Sequence, residues 1–255
     1  MRRILTALVL IPIIVYVVLW ANFWLFLAVL ATVACLCYRE YNDIAKDYGF
    51  GAPGPLGYAV GLLLLVWEGQ PWLLIVGGAL LMFTLAMRME DLSKALPRSA
   101  LLVTGIVYVF GCWKCALPLR EVNPHWLMYG LMLNWAGDTG AYFIGRPFGK
   151  HKLAPRVSPK KSWEGSAASV VTSVLIAGAY LMRFVPQTPV WHIVLLTVAA
   201  NVAGQIGDLA ESAMKRGAGV KDSGTILPGH GGFLDRVDSS LFALPLIYAY
   251  LRVVG

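Results

Sequence analysis

Nine apolar runs separated by short polar connections constrain this chain more than any other feature. They cover approximately residues 4–20, 22–37, 56–67, 71–87, 99–118, 126–144, 165–185, 190–210 and 239–254. About 20 helical residues cross the hydrocarbon core of a bilayer. The runs are long and lack period-two alternation, so they read as helices rather than strands. The third is short and must borrow Pro55 and its flanks, or sit partly re-entrant. Only 14% of the residues are charged, against about 25% in a soluble domain. Mean hydropathy is +0.67. A disordered chain, a coiled coil, a disulfide scaffold and a typical cytosolic enzyme are thereby excluded. The expectation is an all-α, polytopic integral membrane protein with about nine transmembrane helices. It forms a single membrane domain over 1–255, with N-terminal helices in 1–120, a chemically richer half in 121–255 and no separate soluble part. Met1-Arg2-Arg3 and the first run resemble a signal peptide. No small-residue cleavage site follows, so the run reads as an uncleaved span.

The cations orient the spans. With the N-terminus inside and nine crossings, 17 of the 21 Lys and Arg residues fall on the inner side. Lys114, Arg120, Arg183 and Arg252 are the exceptions. This is the positive-inside pattern, which supports both the span count and the orientation; the expected location is a bacterial inner membrane. The pattern also accounts for the net charge of +7 without a nucleic-acid partner. Cys112 and Cys115 have redox-motif spacing but lie in an apolar run, where they read as packing residues. Gly57 and Gly61 have the small-xxx-small spacing of helix packing.

The unusual polar groups collect at the inner helix ends. Asp138 lies six residues, or about 9 Å along a helix, before the end of the sixth run. A carboxylate within an apolar span costs about 2.5–3.5 kcal/mol on insertion scales, which points to a polar cavity that needs it. The next segment, Arg146–Lys161, holds six Lys or Arg in sixteen residues and no acid. It reads as a basic loop attracted to anionic lipid or, more sharply, as a funnel for a polyphosphate. Ser158-Pro159 reads as an N-cap followed by a first-turn proline. That places Lys160 and Lys161 in a helix first turn, where cations are disfavoured unless an anion binds there.

Residues 208–238 are the densest in chemistry, with five acids and four Lys or Arg between two apolar runs. Asp208, Glu211, Ser212 and Lys215 share one helix face by their spacing. A glycine-rich loop follows, with Lys221-Asp222 and then Pro228-Gly-His230-Gly-Gly232. Glycines there let backbone N–H groups approach an anion. Asp235 and Asp238 open the last helix. Carboxylates gathered closely repel unless a cation lies among them, and hard oxygen ligands suit Mg²⁺. His230 with those acids could suggest Zn²⁺, but no second metal-spaced histidine accompanies it, and it reads better as a hydrogen-bonding group.

The 27 residues from Ser212-Ala-Met-Lys-Arg-Gly through Leu-Pro-Gly-His-Gly-Gly-Phe-Leu-Asp-Arg-Val-Asp238 resemble the signature of the phosphatidate cytidylyltransferase (CDP-diacylglycerol synthase) family. Asp138–Gly165, with Ser158-Pro-Lys-Lys-Ser-Trp-Glu-Gly165, resembles the preceding block of the same family. The resemblance carries roughly 134–240; the earlier runs match in hydropathy alone. One small departure is Ser162, where threonine is common; the hydroxyl is kept.

The resemblance implies a nucleotidyltransferase of phospholipid biosynthesis that joins CTP to phosphatidic acid, releasing pyrophosphate. Its active site would lie at the cytoplasmic helix ends. It implies a metal centre at Asp208 and Asp235, with Asp222 and Asp238 as further ligands or their partners. The ion is Mg²⁺, with a second cation as an option, and a homodimer stays open. Lys160, Lys161, Lys215, Arg216, Lys221 and Arg236 become candidates for the triphosphate and the lipid phosphate, Lys221 among the catalytic set with Asp208, Asp235 and Asp238. Asp138, Ser212 and His230 join the substrate-binding set. The rivals are a related membrane transferase, such as a polyprenol kinase or a CDP-archaeol synthase, and a cation-coupled transporter. A CDP-alcohol phosphotransferase is disfavoured because its Asp-x-x-Asp-Gly-x-x-Ala-Arg pattern is absent. A transporter predicts a midplane site and repeated halves, and neither is visible.

Overall fold

The computed structural model describes residues 2–50, 54–226 and 231–254, with side chains from Leu8 onward. His230 and Gly255 therefore lie outside the described residues. The chain is helical almost throughout: α1 Arg2–Leu19, α2 Phe23–Asp47, α3 Pro55–Val66, α4 Pro71–Ala86 and α5 Ala95–Gly105. A π-helical turn, Ile106–Gly111, leads to short α6 Cys112–Lys114 and α7 Ala116–Val122. Then follow α8 Pro124–Phe148, a hairpin of β1 Lys152–Ala154 and β2 Ser158–Ser162, and α9 Trp163–Ser173. A second π-helical turn, Val174–Gly178, joins α9 to α10 Ala179–Phe184; α11 Val190–Gly217 and α12 Leu234–Val254 complete the chain.

Each apolar run of the sequence falls on a helical rod. Among the described residues, five rods are long and apolar enough to cross a membrane: Phe23–Asp47, Leu92–Val122, Trp163–Phe184, Val190–Gly217 and Leu234–Val254. Leu8–Leu19, Pro55–Val66 and Pro71–Ala86 are shorter apolar helices. Large apolar side chains point outward along the helices, among them Leu80, Phe143, Leu175 and Leu195, each 60% or more exposed. A soluble surface rarely tolerates contiguous apolar area of this kind. The protein is an all-α integral membrane protein.

Local chemistry explains the helix starts. Pro55 follows Gly54, whose φ of +75° turns the chain into α3. The Asn123 side chain accepts the His125 N–H at the start of α8, with Pro124 at the first position. One expectation needs correcting. Ser158 and Pro159 do not cap a helix; they begin strand β2, and the cap is Ser162, whose hydroxyl accepts the Gly165 N–H at 3.2 Å. Lys160 and Lys161 therefore lie on a strand before the helix. The hairpin explains why: β1 pairs antiparallel with β2, Lys152 opposite Ser162 and Ala154 opposite Ser158, with a bulge between. The first acid of the following helix, Glu164, sits in the first turn, as the helix dipole favours.

The chain divides into two compact units. One comprises residues 1–3, 23–114 and 214–236. Its core is aromatic: Tyr38 meets Tyr58 edge-on, ring centroids 4.8 Å apart, and Phe110 at 5.3 Å. The Gly57–Gly61 stripe serves this packing, since Tyr38 lies over Gly57 and Phe110 over Gly61. Lys114 donates to the carbonyls of Leu64 at 2.8 Å and Trp67 at 2.7 Å, closing the C-terminal end of α3. The other unit comprises residues 4–22, 115–213 and 237–255. Its core holds Tyr129, Leu133, Leu181, Ile193 and Leu244. There Arg120 donates to the carbonyls of Val18, at 2.8 Å, and Ala21 at the end of α1. Lys114 and Arg120 thus have a local reason to depart from the charge segregation: each satisfies helix-end carbonyls left without partners. Cys112 and Cys115 are half-buried on the broken helix.

Candidate functional site

In the second unit, α8, α9, α11 and the hairpin enclose a cavity of about 690 Å³. Each helix contributes one face at helical spacing. Asn134, Asp138, Tyr142 and Gly145 line it from α8; Gly165, Ser166 and Ser169 from α9; Asn201, Gly204, Gln205 and Asp208 from α11. Small residues bring these helices together. A Cβ on Gly145 would lie 3.2 Å from the Gly165 Cα, and one on Gly165 equally close to the Gly145 Cα. Alanine at either position would push the α8 and α9 backbones apart.

The cavity wall carries polar side chains within an apolar bundle, and these groups bond one another. Asn201 donates to the Ser169 and Ser173 hydroxyls at 3.0 and 2.9 Å and accepts from the Gln205 amide at 2.6 Å. Ser166 donates to Gln205 Oε1 at 2.5 Å, and Ser173 to the Leu133 carbonyl at 2.8 Å. Asn134 donates to the Ser240 hydroxyl at 3.0 Å. Such mutual satisfaction removes the desolvation penalty that isolated polar groups would carry. The Ser166/Ser169/Ser173 and Asn201/Gln205 stripes went unread in the sequence, because uncharged polar residues are ordinary in membrane helices. Their 3–4-residue spacing was the available signal.

Four cations line the cavity where the hairpin meets it: Arg146, Lys152, Lys160 and Lys161. Arg146 belongs to the last turn of α8, which continues past the expected run end. Lys161 Nζ lies 2.6 Å from Asp208 Oδ2, and the Ser212 hydroxyl donates to Asp208 Oδ1 at 3.4 Å. The hairpin base is fastened to α9: His151 Nδ1 is 2.6 Å from Glu164 Oε1, and the Trp163 N–H donates to the His151 carbonyl at 2.9 Å. Asp138, Lys160, Lys161 and Asp208, placed in one site by the resemblance, share one cavity, with Ser212 hydrogen-bonded to Asp208. Asp238 is buried in the same unit.

The first unit gathers the other signature residues. Lys215 and Asp235 form an ion pair whose side chains are 9% and 6% exposed. The second oxygen of Asp235 accepts the Ser223 N–H at 3.0 Å and the Gly232 N–H at 2.9 Å. Gly231 has a φ of +80°, and a Cβ there would lie 2.6 Å from Asp235 Oδ2, so this position requires glycine twice over. Arg216 donates to the Val220 carbonyl at 2.9 Å and shapes the turn after α11. Lys221, Asp222 and Arg236 are exposed. Sequence reading missed Glu40. Its carboxylate, in α2, accepts the Ser223 hydroxyl and the N–H groups of Phe233 and Leu234, at 2.8, 2.9 and 2.8 Å.

The cavity oxygens of Asp138, Asp208 and the serines are hard donors suited to Mg²⁺. Among the described residues, no three of His, Cys, Asp or Glu gather closely enough to hold a metal ion unaided. Mg²⁺ takes one or two carboxylates and completes its shell with water and substrate phosphates. The residues present fit an ion that arrives with a nucleotide.

A cavity among apolar helices, with cations and carboxylates in its lining, is the site that this helical membrane protein presents. A sequence profile of the cytidylyltransferase family matches residues 1–254, and the chain belongs to that family. It is 33% identical over 253 residues to the phosphatidate cytidylyltransferase of Staphylococcus aureus (strain COL), covering 96% of each chain. It is 40% identical over 150 residues to the phosphatidate cytidylyltransferase of Bacillus subtilis (strain 168), and 45% over 128 residues to that of Staphylococcus haemolyticus (strain JCSC1435). Those two matches span about half of each relative, 56% and 49%.

Proposed function

We propose that this chain transfers the cytidylyl group of CTP to phosphatidic acid, giving CDP-diacylglycerol and pyrophosphate in a bacterial inner membrane. The observation that carries this reading is the cavity, where Arg146, Lys152, Lys160 and Lys161 meet Asp138 and Asp208 amid apolar helices. A lipid substrate needs a site within the bundle, and a nucleotide triphosphate needs cations. The related enzymes named above support the same substrates.

A phosphate-monoester oxygen of phosphatidic acid attacks the α-phosphorus of CTP, and the bond from that phosphorus to the β-phosphate bridging oxygen breaks. The attacking monoester is already largely ionised near pH 7, with a second pKa of about 6 by analogy with phosphoserine. The protein therefore needs no strong base; it must hold two anions together and stabilise the departing pyrophosphate. Lys160, Lys152 and Arg146 would draw in and orient the phosphates. Lys161 would exchange its bond with Asp208 for a phosphate oxygen, leaving the Asp208 carboxylate available to a cation. Asp208, with Asp138 beside the same cavity, would hold Mg²⁺, which supplies charge neutralisation on the phosphates when bound. Lys215 and the backbone N–H groups of Ser223 and Gly232 hold Asp235, and a carboxylate with three such donors keeps lone-pair capacity for one further partner. The positive-inside distribution of Lys and Arg supports entry of CTP from the cytosol.

The test is conversion of radiolabelled CTP by the purified protein in lipid–detergent micelles with phosphatidic acid and Mg²⁺. A lipid-soluble labelled product and free pyrophosphate in equal amounts are expected. Labelling that does not depend on phosphatidic acid would overturn the reading.

A further inference from the structure

Glu40 sits within α2, 1% exposed and more than 180 residues from the groups it binds. Its Oε2 accepts the Ser223 hydroxyl and the Leu234 N–H, and its Oε1 accepts the Phe233 N–H. Phe233 and Leu234 lie at the start of α12, where backbone donors have no intrahelical acceptor. A carboxylate opposite a helix N-terminus is also favoured by the helix dipole. The surrounding loop is shaped to admit it: a Cβ on Gly224 would lie 2.7 Å from Glu40 Oε1.

Ser223 carries the arrangement onward. Its hydroxyl, bonded to Glu40, accepts the Asp235 N–H at 3.3 Å, while its own N–H donates to Asp235 Oδ2 at 3.0 Å. Asp235 in turn pairs with Lys215. Glu40 thus stands at the head of a continuous sequence of hydrogen bonds through Ser223 to Asp235 and Lys215.

We propose that Glu40 is a positioning residue, which holds Ser223, Phe233 and the start of the last helix in the arrangement that cytidylyl transfer uses. It touches no substrate in this scheme and acts through Ser223 and Asp235. The inference rests on the transfer reading and extends it to a residue in an early span. The acid itself is required. Three donors converge on two oxygens, and glutamine, of equal size, would set an amide N–H against one of them. Packing of α2 has other anchors, since Ala34, Cys37, Tyr38, Tyr41 and Ile44 are all buried.

The experiment uses the full chain in lipid–detergent micelles, comparing wild type, Glu40→Gln and Ser223→Ala. Thermal midpoint, kcat, both KM values and hydrogen exchange across 222–235 are read. Glu40→Gln is expected to lower kcat about 10- to 100-fold, equivalent to about 1.4–2.7 kcal/mol. Both KM values should stay within about threefold, because the cavity cations are untouched. Amides of Phe233 and Leu234, whose N–H groups donate to Glu40, should exchange at least about tenfold faster, as a carboxylate acceptor is lost. Ser223→Ala should show a smaller change of the same kind, and it carries the test if Glu40→Gln does not accumulate. Unchanged exchange in 222–235 overturns the proposal whatever the activity. So does a fall in turnover that only tracks the folded fraction. A wild-type protein that forms no CDP-diacylglycerol overturns the functional reading instead, while exchange still reports whether Glu40 holds the segment.

Discussion

Replacing Lys215 by methionine should destabilise the protein by about 3 kcal/mol. The side chains of Lys215 and Asp235 are 9% and 6% exposed, so solvent screens their pairing little. Breaking a buried pair from one side typically costs about 3–5 kcal/mol, because the remaining charge is left uncompensated. Asp235 would keep its bonds from the Ser223 and Gly232 N–H groups. Hydrogen bonds to a charged group contribute about 1.5–3 kcal/mol each, which places the loss at the lower end of that range. About 3 kcal/mol is more than a 100-fold change in the folding equilibrium. Removing both charges should cost less than the sum of the two single losses, since the double variant leaves no uncompensated buried charge. The assay is reversible denaturation in mixed micelles of wild type, Lys215→Met, Asp235→Leu and the double variant, read as a double-mutant cycle. A coupling of about 2 kcal/mol or more is expected. A coupling below about 0.5 kcal/mol, the scale of an exposed pair, would refute the argument that this pair is screened from solvent and organises the loop.

Asp208→Ala should insert and fold, yet lose about 10³-fold or more in kcat, corresponding to about 4 kcal/mol of transition-state stabilisation; near-normal kcat at saturating Mg²⁺ would remove Asp208 from the metal site. Neutralising Lys152 together with Lys150 and Arg156 to glutamine should raise the KM for CTP and weaken its salt dependence. Lys160→Gln and Lys161→Gln should also lower kcat, and CTP kinetics unchanged at low salt would reduce the segment to a topology signal. Single cysteines at 150 and 219 in a cysteine-free background should resist an impermeant thiol reagent in intact cells, while one at 255 should react. Labelling at 219 would put the signature on the wrong face for CTP.

The class of the molecule was legible in its sequence because membrane insertion is a one-dimensional constraint. Twenty apolar residues in succession have few alternatives to a helix, so every apolar run from 4–20 to 239–254 falls on a helical rod. The signature was legible because its Lys, Asp and Gly residues are sequence neighbours with little structural reason to lie between apolar spans. Asp138, Lys160, Lys161 and Asp208 were named from sequence and placed in one site by the resemblance; how they line one cavity, with Lys161 bonded to Asp208, came only from the packing of α8, α9, α11 and the hairpin. The helix start near Ser158 was misplaced because local capping signals cannot report a pairing partner such as Lys152, which holds the segment extended. Glu40 was invisible for the same reason. A glutamate near the end of an apolar run reads as an interfacial charge, and only the return of Ser223, Phe233 and Leu234 to α2 supplies the three donors that give it a role. Periodicity and charge are properties of neighbouring residues, whereas hydrogen-bond partners across 180 residues are decided when the chain folds back on itself.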